Sequence, residues 1–344
     1  MARTLDKTFT AALTSWYREN CRDLPWRKDK EPYHVWVSEI MLQQTRVEAV
    51  KAYYKRFMEA LPAVTDLAEA DEETLLKLWQ GLGYYNRVRN MNKAATVIVN
   101  AYDGEFPRTY EEIKSLPGIG DYTAGAVASI CFDLPAAAVD GNVLRVMSRL
   151  LADYDDIKSP AVKKRMAACL KGLYPEENCS DFTQGLIELG ALVCIPKGQP
   201  KCEVCPVAAY CKARDAGVQL ELPVKSTKKE RKKVRKTVLI LQCGEKVAVR
   251  KRGKDVLLAG LYEFPNVDEQ LTAAEAVALA ESWETKPKDL LRKVEYTHVF
   301  THVEWEMTAY YLKVSKCCPQ FQWVTEKELS EEIPLPTAFG YFLG

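Results

Sequence analysis

The stretch Leu116-Pro-Gly-Ile-Gly-Asp-Tyr-Thr-Ala124 decides the reading of this chain, because a proline and two glycines interrupt helical spacing just ahead of a new helix. Gly118 and Gly120 permit close backbone approach, and the helix that follows opens with unpaired N–H groups and the positive end of its dipole. Such a terminus holds a phosphate without a basic side chain. An ordinary interhelical turn would use the same residues, so the next element carries weight. Val139-Asp140-Gly-Asn-Val-Leu-Arg145 opens another helix with an acid at its mouth. The plain role of Asp140 there is an N-cap.

Working outward, apolar residues from Asp6 to about Cys194 recur at three- and four-residue spacing between breaks at Pro, Gly and Asp, which predicts an all-helical domain. The expected helices are Lys7–Asn20, Tyr33–Ala60, Glu72–Gln80, Tyr85–Asp103, Tyr122–Phe132, Asn142–Ala152, Pro160–Leu173 and Asp181–Val193. The run KSTKKERKKVRK, Lys225 to Lys236, holds eight basic residues and one acid and reads as a solvated linker. Beyond it come short β-rich segments at Thr237–Cys243, Lys246–Arg250, Val294–Phe300, Val303–Val314 and Gln320–Val324, with a helix at Ala273–Ser282. The expected division is a helical domain over 1–224, a basic linker over 225–236 and an α+β domain over 237–344. A length of 344 residues suits two cores.

Lys plus Arg, 48, nearly cancels Asp plus Glu, 47, so attraction to a polyanion must come from local clustering. The first residues lack an apolar signal core and no stretch is apolar for long enough to cross a bilayer, which predicts a soluble, cytoplasmic protein. Four of the 11 cysteines crowd into Cys194-IPKGQPK-Cys202-EV-Cys205-PVAAY-Cys211. That clustering suits a metal in a reducing compartment better than a disulfide frame. Thiolates are soft donors, so zinc or an iron-sulfur cluster are the candidates. A single C-x2-C knuckle favours [4Fe-4S] over zinc, whose sites commonly use two.

The hairpin at 116–124, the aspartate after it and the cysteine loop together resemble the endonuclease III superfamily of helix-hairpin-helix base-excision glycosylases. Within that superfamily, Leu24-Pro-Trp-Arg27, Val37-Ser-Glu39-Ile-Met-Leu-Gln-Gln-Thr-Arg46 and Gly81-Leu-Gly-Tyr84-Tyr-Asn-Arg87 resemble the MutY branch of adenine glycosylases, and the match covers roughly residues 10–211. One departure is the cysteine spacing, with seven residues between Cys194 and Cys202 where the family has six. The resemblance implies a six-helix barrel and a [4Fe-4S] cluster on Cys194, Cys202, Cys205 and Cys211.

The implied reaction is hydrolysis of the N-glycosidic bond of adenine opposite 8-oxoguanine or guanine in double-stranded DNA. One carboxyl must protonate the leaving base while an ionised one faces the cationic sugar, so two acids with divergent pKa values are needed. By resemblance Glu39 is the acid and Asp140 stabilises or traps the sugar, with Tyr122 and Asn142 in support. Position 122 holds a lysine nucleophile in the bifunctional members, and a phenol cannot form a Schiff base, so strong strand cleavage is not expected. Extrusion of adenine calls for residues that fill or brace the gap. The family pattern assigns Gln43, Gln44 and Tyr84 to the DNA around the lesion, Gly118 and Gly120 to the phosphate, and Arg22, Trp26, Arg27 and Gln184 to the adenine pocket. Arg87, Arg89 and Arg145 are candidates for further phosphates.

In the second domain, Leu258-Ala-Gly-Leu-Tyr-Glu-Phe-Pro265 resembles the segment ahead of the catalytic box of MutT-like (nudix) hydrolases. The residues that follow lack the paired glutamates that would hold metal on a pyrophosphate. The expectation is therefore a nudix-like fold without hydrolysis that recognises 8-oxoguanine, with Phe300, Thr301 and His302 as the recognising loop. Threonine replaces a frequent serine and keeps the hydroxyl. A monomer is expected. Three other readings compete: an endonuclease III-type enzyme acting on oxidised pyrimidines, a catalytically silent DNA-binding module, and a nudix hydrolase of free nucleotides.

Overall fold

The computed structural model describes residues 2–226 and 230–343; positions 227–229 of the expected linker lie outside them. Two compact units emerge, one from residues 1–70 and 89–227 and the other from 71–88 and 228–344.

The first unit is helical: α1 (Lys7–Asn20), α2 (Pro32–Leu42), α3 (Val47–Ala60) and α4 (Val64–Glu69) precede α5 (Glu72–Leu78), which belongs to the second unit. The chain continues through α6 (Asn86–Tyr102), α7 (Tyr110–Ser115), α8 (Asp121–Phe132), α9 (Gly141–Leu151), α10 (Pro160–Lys171), α11 (Cys179–Leu192) and α12 (Lys212–Ala216). The single helix expected over Tyr33–Ala60 is two, α2 and α3. Gln44 takes a φ of 60° between them, a conformation that ends α2 although no glycine or proline announces the break. The turn from α7 to α8 has the expected form. Gly118 sits at φ +76°, and a Cβ there would meet the Asn90 Cβ at 2.5 Å, so both backbone freedom and space demand glycine. Helix α8 is buried along its whole length from Thr123 to Ile130, which places it in the middle of the unit. Helices α1, α9, α10 and α11 share a core of Phe9, Leu13, Met147, Met166, Phe182 and Leu186.

The second unit carries a mixed sheet ordered β3-β2-β1-β6-β5, with β1 at Lys232–Cys243, β2 at Lys246–Lys251, β3 at Tyr262–Glu263, β5 at Pro287–Val299 and β6 at Val303–Val314, while β4 (Asn266–Val267) pairs with β1 and β7 (Gln322–Thr325) with β2. Strand β1 runs parallel to β6 from Lys232 opposite Val303 to Gln242 opposite Lys313, and β5 and β6 form an antiparallel hairpin. Alternate residues face opposite sides. Val238 and Ile240 pack with Trp305 and Phe339, while Leu239 and Leu241 pack with Leu312 under helix α13 (Ala273–Ser282).

The expected linker is shorter than the charge run suggested, since its residues from Lys232 onward are strand. Facing acids make this possible: Lys233 Nζ lies 3.2 Å and Arg235 Nε 3.5 Å from Glu306. Lys236 is buried, paired with Asp268 and set 4.6 Å from the centre of the Trp305 ring. Cross-strand pairing of opposite charges turned a run that reads as solvated into the start of the sheet's central strand.

Candidate active site and cysteine loop

Helix α2 delivers Glu39 into the interior of the first unit, where the residue is only 7% exposed. Tyr122, on the first turn of α8, donates its phenol O–H to Glu39 Oε2. Asp140 caps α9: its Oδ1 accepts from the Val143 N–H at 2.7 Å and its Oδ2 from Asn142 Nδ2 at 2.8 Å. Asp140, Asn142, Tyr122 and Glu39, drawn from three sequence segments, are thus gathered at the mouths of α8 and α9 and the side of α2.

Burial pushes the Glu39 carboxyl up to about 7, and the nearby Asp140 charge adds to the rise against the Tyr122 hydrogen bond. Burial also raises Asp140, opposed by the Val143 and Asn142 donors. Only Asp140 has an amide and a helix N-terminus fixed on its carboxylate, so it ionises first and Glu39 keeps the proton. Tyr122 is raised well above its ordinary value by burial and stays a neutral donor.

Close by in the same unit, Glu188 has a side chain with no solvent exposure and accepts from Arg22 Nε at 2.7 Å and Arg27 Nη2 at 2.8 Å. The Arg22 backbone N–H reaches it too, at 2.9 Å. Burial alone would raise this acid, and the two guanidiniums more than offset it, leaving it at about 2. Sequence pattern did not single out Glu188. The available signal was a carboxylate one helical turn from Gln184 in the largely apolar run Phe182–Leu192. Trp26 is buried edge-on to Tyr54 at 5.4 Å, and Gln184 Nε2 donates to Ser180 Oγ at 3.2 Å.

Arg145 and Arg87 do not have the exposed, phosphate-facing setting that the sequence suggested. Arg145 is buried and donates to Asn142 Oδ1 at 2.9 Å, to the Gly190 carbonyl at 2.7 Å and to the Cys194 carbonyl at 2.8 Å. Gly190 is required for that approach, since a Cβ there would lie 2.7 Å from the Asn142 Cβ. Hydrogen bonds therefore run from Asp140 through Asn142 and Arg145 to the first cysteine of the loop. Arg87 gives its Nη2 to the carbonyls of Leu82 and Gly83 and sits over the Trp79 and Tyr84 rings, so it braces the 81–84 turn. Burial lowers it to about 10.

The four cysteines of the loop line one cavity, together with Arg149, Leu189 and Pro200. Arg149 Nη1 lies 3.2 Å from Cys194 Sγ and 3.0 Å from the Ile195 carbonyl. An all-sulfur donor set beside a buried guanidinium suits a thiolate-bound group, so the residues present fit an iron-sulfur cluster. Among the described residues no three His, Cys, Asp or Glu side chains are grouped to hold a single metal ion.

Gln44 and Tyr84 both hold positive φ, 60° and 50°, a conformation that costs energy in side-chain-bearing residues and is held by the surrounding structure. Tyr84, in the second unit, is 46% exposed, and its hydroxyl lies 2.6 Å from Thr301 Oγ1 of the same unit. Thr301 and His302 form the exposed tip of the β5–β6 hairpin, closed by the Phe300 N–H on the Val303 carbonyl at 2.8 Å. Phe300 turns inward against His298 and Trp305, at 4.6 and 4.8 Å between ring centres, and so supports the tip. No helix among the described residues is long and apolar enough to cross a membrane.

Comparison with known proteins agrees with this geometry. Residues 37–172 match the model of the HhH-GPD superfamily base excision DNA repair protein, and residues 237–343 that of a NUDIX domain. The chain is 33% identical to the adenine DNA glycosylase of Homo sapiens, over 93% of this chain and 70% of that protein. It is 34% identical to the adenine DNA glycosylase of Buchnera aphidicola, over 88% of this chain and 84% of that one. Among solved structures, a thermostable thymine-DNA glycosylase superposes with a TM-score of 0.54 at 30% identity, covering 61% of this chain and 96% of that one. A helical unit that brings a buried glutamate together with a half-buried aspartate at a helix mouth, followed by a NUDIX unit, and relatives spanning both, place the chain in the adenine DNA glycosylase family of the HhH-GPD superfamily.

Proposed function

We propose that the protein hydrolyses the N-glycosidic bond of adenine mispaired with 8-oxoguanine, and of adenine opposite guanine, in double-stranded DNA. The observation that carries this reading is the Glu39–Tyr122–Asp140 arrangement, in which one buried acid keeps its proton near neutral pH while another is held by an amide N–H and an asparagine. Glu39 delivers its proton to a ring nitrogen of the extruded adenine and then draws a proton from the attacking water. The Asp140 carboxylate faces the cationic sugar, which strengthens their attraction where water is excluded. Tyr122 offers no amine, so the abasic product persists instead of undergoing strong lyase cleavage.

Arg22, Arg27, Trp26 and Gln184 form the adenine pocket in this reading, with Glu188 fixing the two arginines. Gly118 and Gly120 hold a phosphate at the mouth of α8. Gln43 and Gln44 brace the opened duplex, and Tyr84 and Thr301, already touching through their hydroxyls, meet the 8-oxoguanine with His302 and Phe300 beside them. The nudix-like segment over 237–344 serves recognition without hydrolysis in this reading, because the residues after Pro265 lack the paired glutamates that would hold metal on a pyrophosphate. Cys194, Cys202, Cys205 and Cys211 would hold a [4Fe-4S] cluster, which would supply thiolate-bound iron that ties the loop together.

Single-turnover incubation with a duplex carrying A opposite 8-oxoguanine tests the proposal. Strand breaks that appear only after alkali, and vanish in Glu39→Gln, support it. Absence of abasic product from folded protein, or strong breakage without alkali, overturns it. Thr301→Val, which keeps shape and removes the hydroxyl, is expected to cost about 1 kcal/mol of preference for 8-oxoguanine over guanine.

A further inference from the structure

Cys243 and Cys317 lie outside the machinery described above. Cys243 is the last residue of β1, and Cys317 follows β6, which ends at Val314. Because β1 and β6 run parallel with Gln242 opposite Lys313, both strands finish at the same edge of the sheet, and the chain leaving β6 comes back across the end of β1. The two Sγ atoms lie 2.6 Å apart across 74 positions of sequence. Cys317 is exposed and Cys243 half-buried. Neighbouring Cys318 is directed into the core with Leu241, Leu312 and Phe321, so it does not compete for the contact.

We propose that Cys243 and Cys317 are a reversible thiol–disulfide pair, oxidised by low-molecular-weight disulfides, that fastens the end of β1 to the segment after β6. The exposed Cys317 thiolate attacks one sulfur of the small disulfide, forming a mixed disulfide and releasing one small thiol. Cys243 then gives up its proton to solvent and attacks Cys317 Sγ, and the second small thiol departs. Two protein thiols and one small disulfide thus become one protein disulfide and two small thiols. The order follows from access, since Cys317 meets solvent first. Burial and the Cys317 contact hold Cys243 up at about 11, with Lys246 acting in the other direction, so little of it is thiolate near neutral pH and its attack depends on the short distance to Cys317.

The bond closes a long loop of the second unit and so restricts its unfolded chain. The hairpin tip at Thr301 lies at the other end of β6, a strand of 12 residues and therefore about 35–40 Å away. Oxidation is thus expected to stabilise the second unit without changing adenine excision.

The test uses the full chain, equilibrated anaerobically with mixtures of reduced and oxidised glutathione, alkylated, digested and mapped by mass spectrometry. The expected result is a Cys243–Cys317 cross-linked peptide that grows with the oxidised fraction and reverses with excess reduced glutathione. The oxidised wild type should also melt several degrees higher than the reduced form, a difference abolished in both Cys317→Ala and Cys243→Ala. Excision in a single turnover should stay within about twofold. Absence of that peptide from folded protein at every mixture, cross-links through Cys318 or Cys21 in its place, or a melting difference that survives in both variants would overturn the pair. A fall in excision that tracks formation of the cross-link would overturn its remoteness from the site.

Discussion

Glu39 and Glu188 are both glutamates on helices of the same unit, both buried, and they end at opposite extremes. Glu39 has a phenol for a donor and an aspartate for a neighbour, and stands at about 7. Glu188 has two guanidiniums and a backbone amide, and stands at about 2. Burial penalises ionisation in both places, so the difference comes from the charge of the partners. A proton donor requires the first environment and an anchor for cationic side chains the second. The unit provides both within one interior, linked through Arg27, whose charge reaches Glu39 and lowers it slightly against the dominant burial effect.

The sharpest way to break this comparison is to neutralise each acid in turn. Glu39→Gln cannot supply a proton, and single-turnover excision should fall by about 10⁴-fold, the upper end of what one positioned acid contributes, with binding to mispaired duplex retained. A loss below tenfold would remove Glu39 from the role of acid. Glu188→Gln leaves two guanidiniums facing a neutral amide, one of them, Arg27, with a side chain only 13% exposed. Breaking a buried pair from one side costs about 3–5 kcal/mol, which chemical denaturation at neutral pH would read directly. The Glu188 contribution is present above its unfolded value and is lost only as pH falls toward 2. A Glu188→Gln protein as stable as the wild type would show that the arginines do not depend on this acid.

These two acids also differ in how legible they were. The glycine turn ahead of α8, the N-cap at Asp140 and the cysteine loop were readable because each rests on local chemistry: glycine where space and φ demand it, an acid at a helix mouth, thiols close in sequence. Glu39 was not readable from pattern alone. It lies on a helix whose neighbours are buried, and its proton affinity comes from burial under elements far away along the chain, with the Asp140 charge adding to it. Glu188 went unnoticed for the same reason in reverse, since its two arginines lie more than 160 positions earlier. The end of α2 at Gln44 and the strand inside the basic run failed on tertiary grounds. A left-handed glutamine needs surrounding packing to hold it, and a run of lysines becomes a strand only when Glu304 and Glu306 stand opposite.

The same pair predicts opposite responses of stability to pH. Glu39 has a folded value of about 7 against an ordinary 4.5, so between those values the unfolded chain has released a proton that the folded one retains, and stability falls as pH rises. Glu39→Gln escapes this cost. It should be more stable than the wild type at pH 8 by up to about 3 kcal/mol, with the difference closing toward pH 4.5. Urea titrations of both proteins across that range decide it, and a Glu39→Gln protein less stable at pH 8 would contradict the raised value.

The smallest effect separates the donors. Tyr122 stabilises the ionised form of Glu39 through its hydrogen bond, so Tyr122→Phe removes an influence that lowers the acid and leaves burial unopposed at that oxygen. Glu39 should then hold its proton to higher pH, and the basic limb of the excision profile should move upward, while the rate on the acidic side of that limb changes little. A downward move would mean that the phenol serves chiefly to keep the proton on Glu39. An unmoved limb would mean that Glu39 is not the group whose ionisation the profile reports. Removing a donor from Glu188 raises that acid too, but from about 2, so it stays ionised throughout the range in which excision can be measured. Of the two donor removals, the one that shows in the excision profile is therefore the one beside the acid already poised near neutrality.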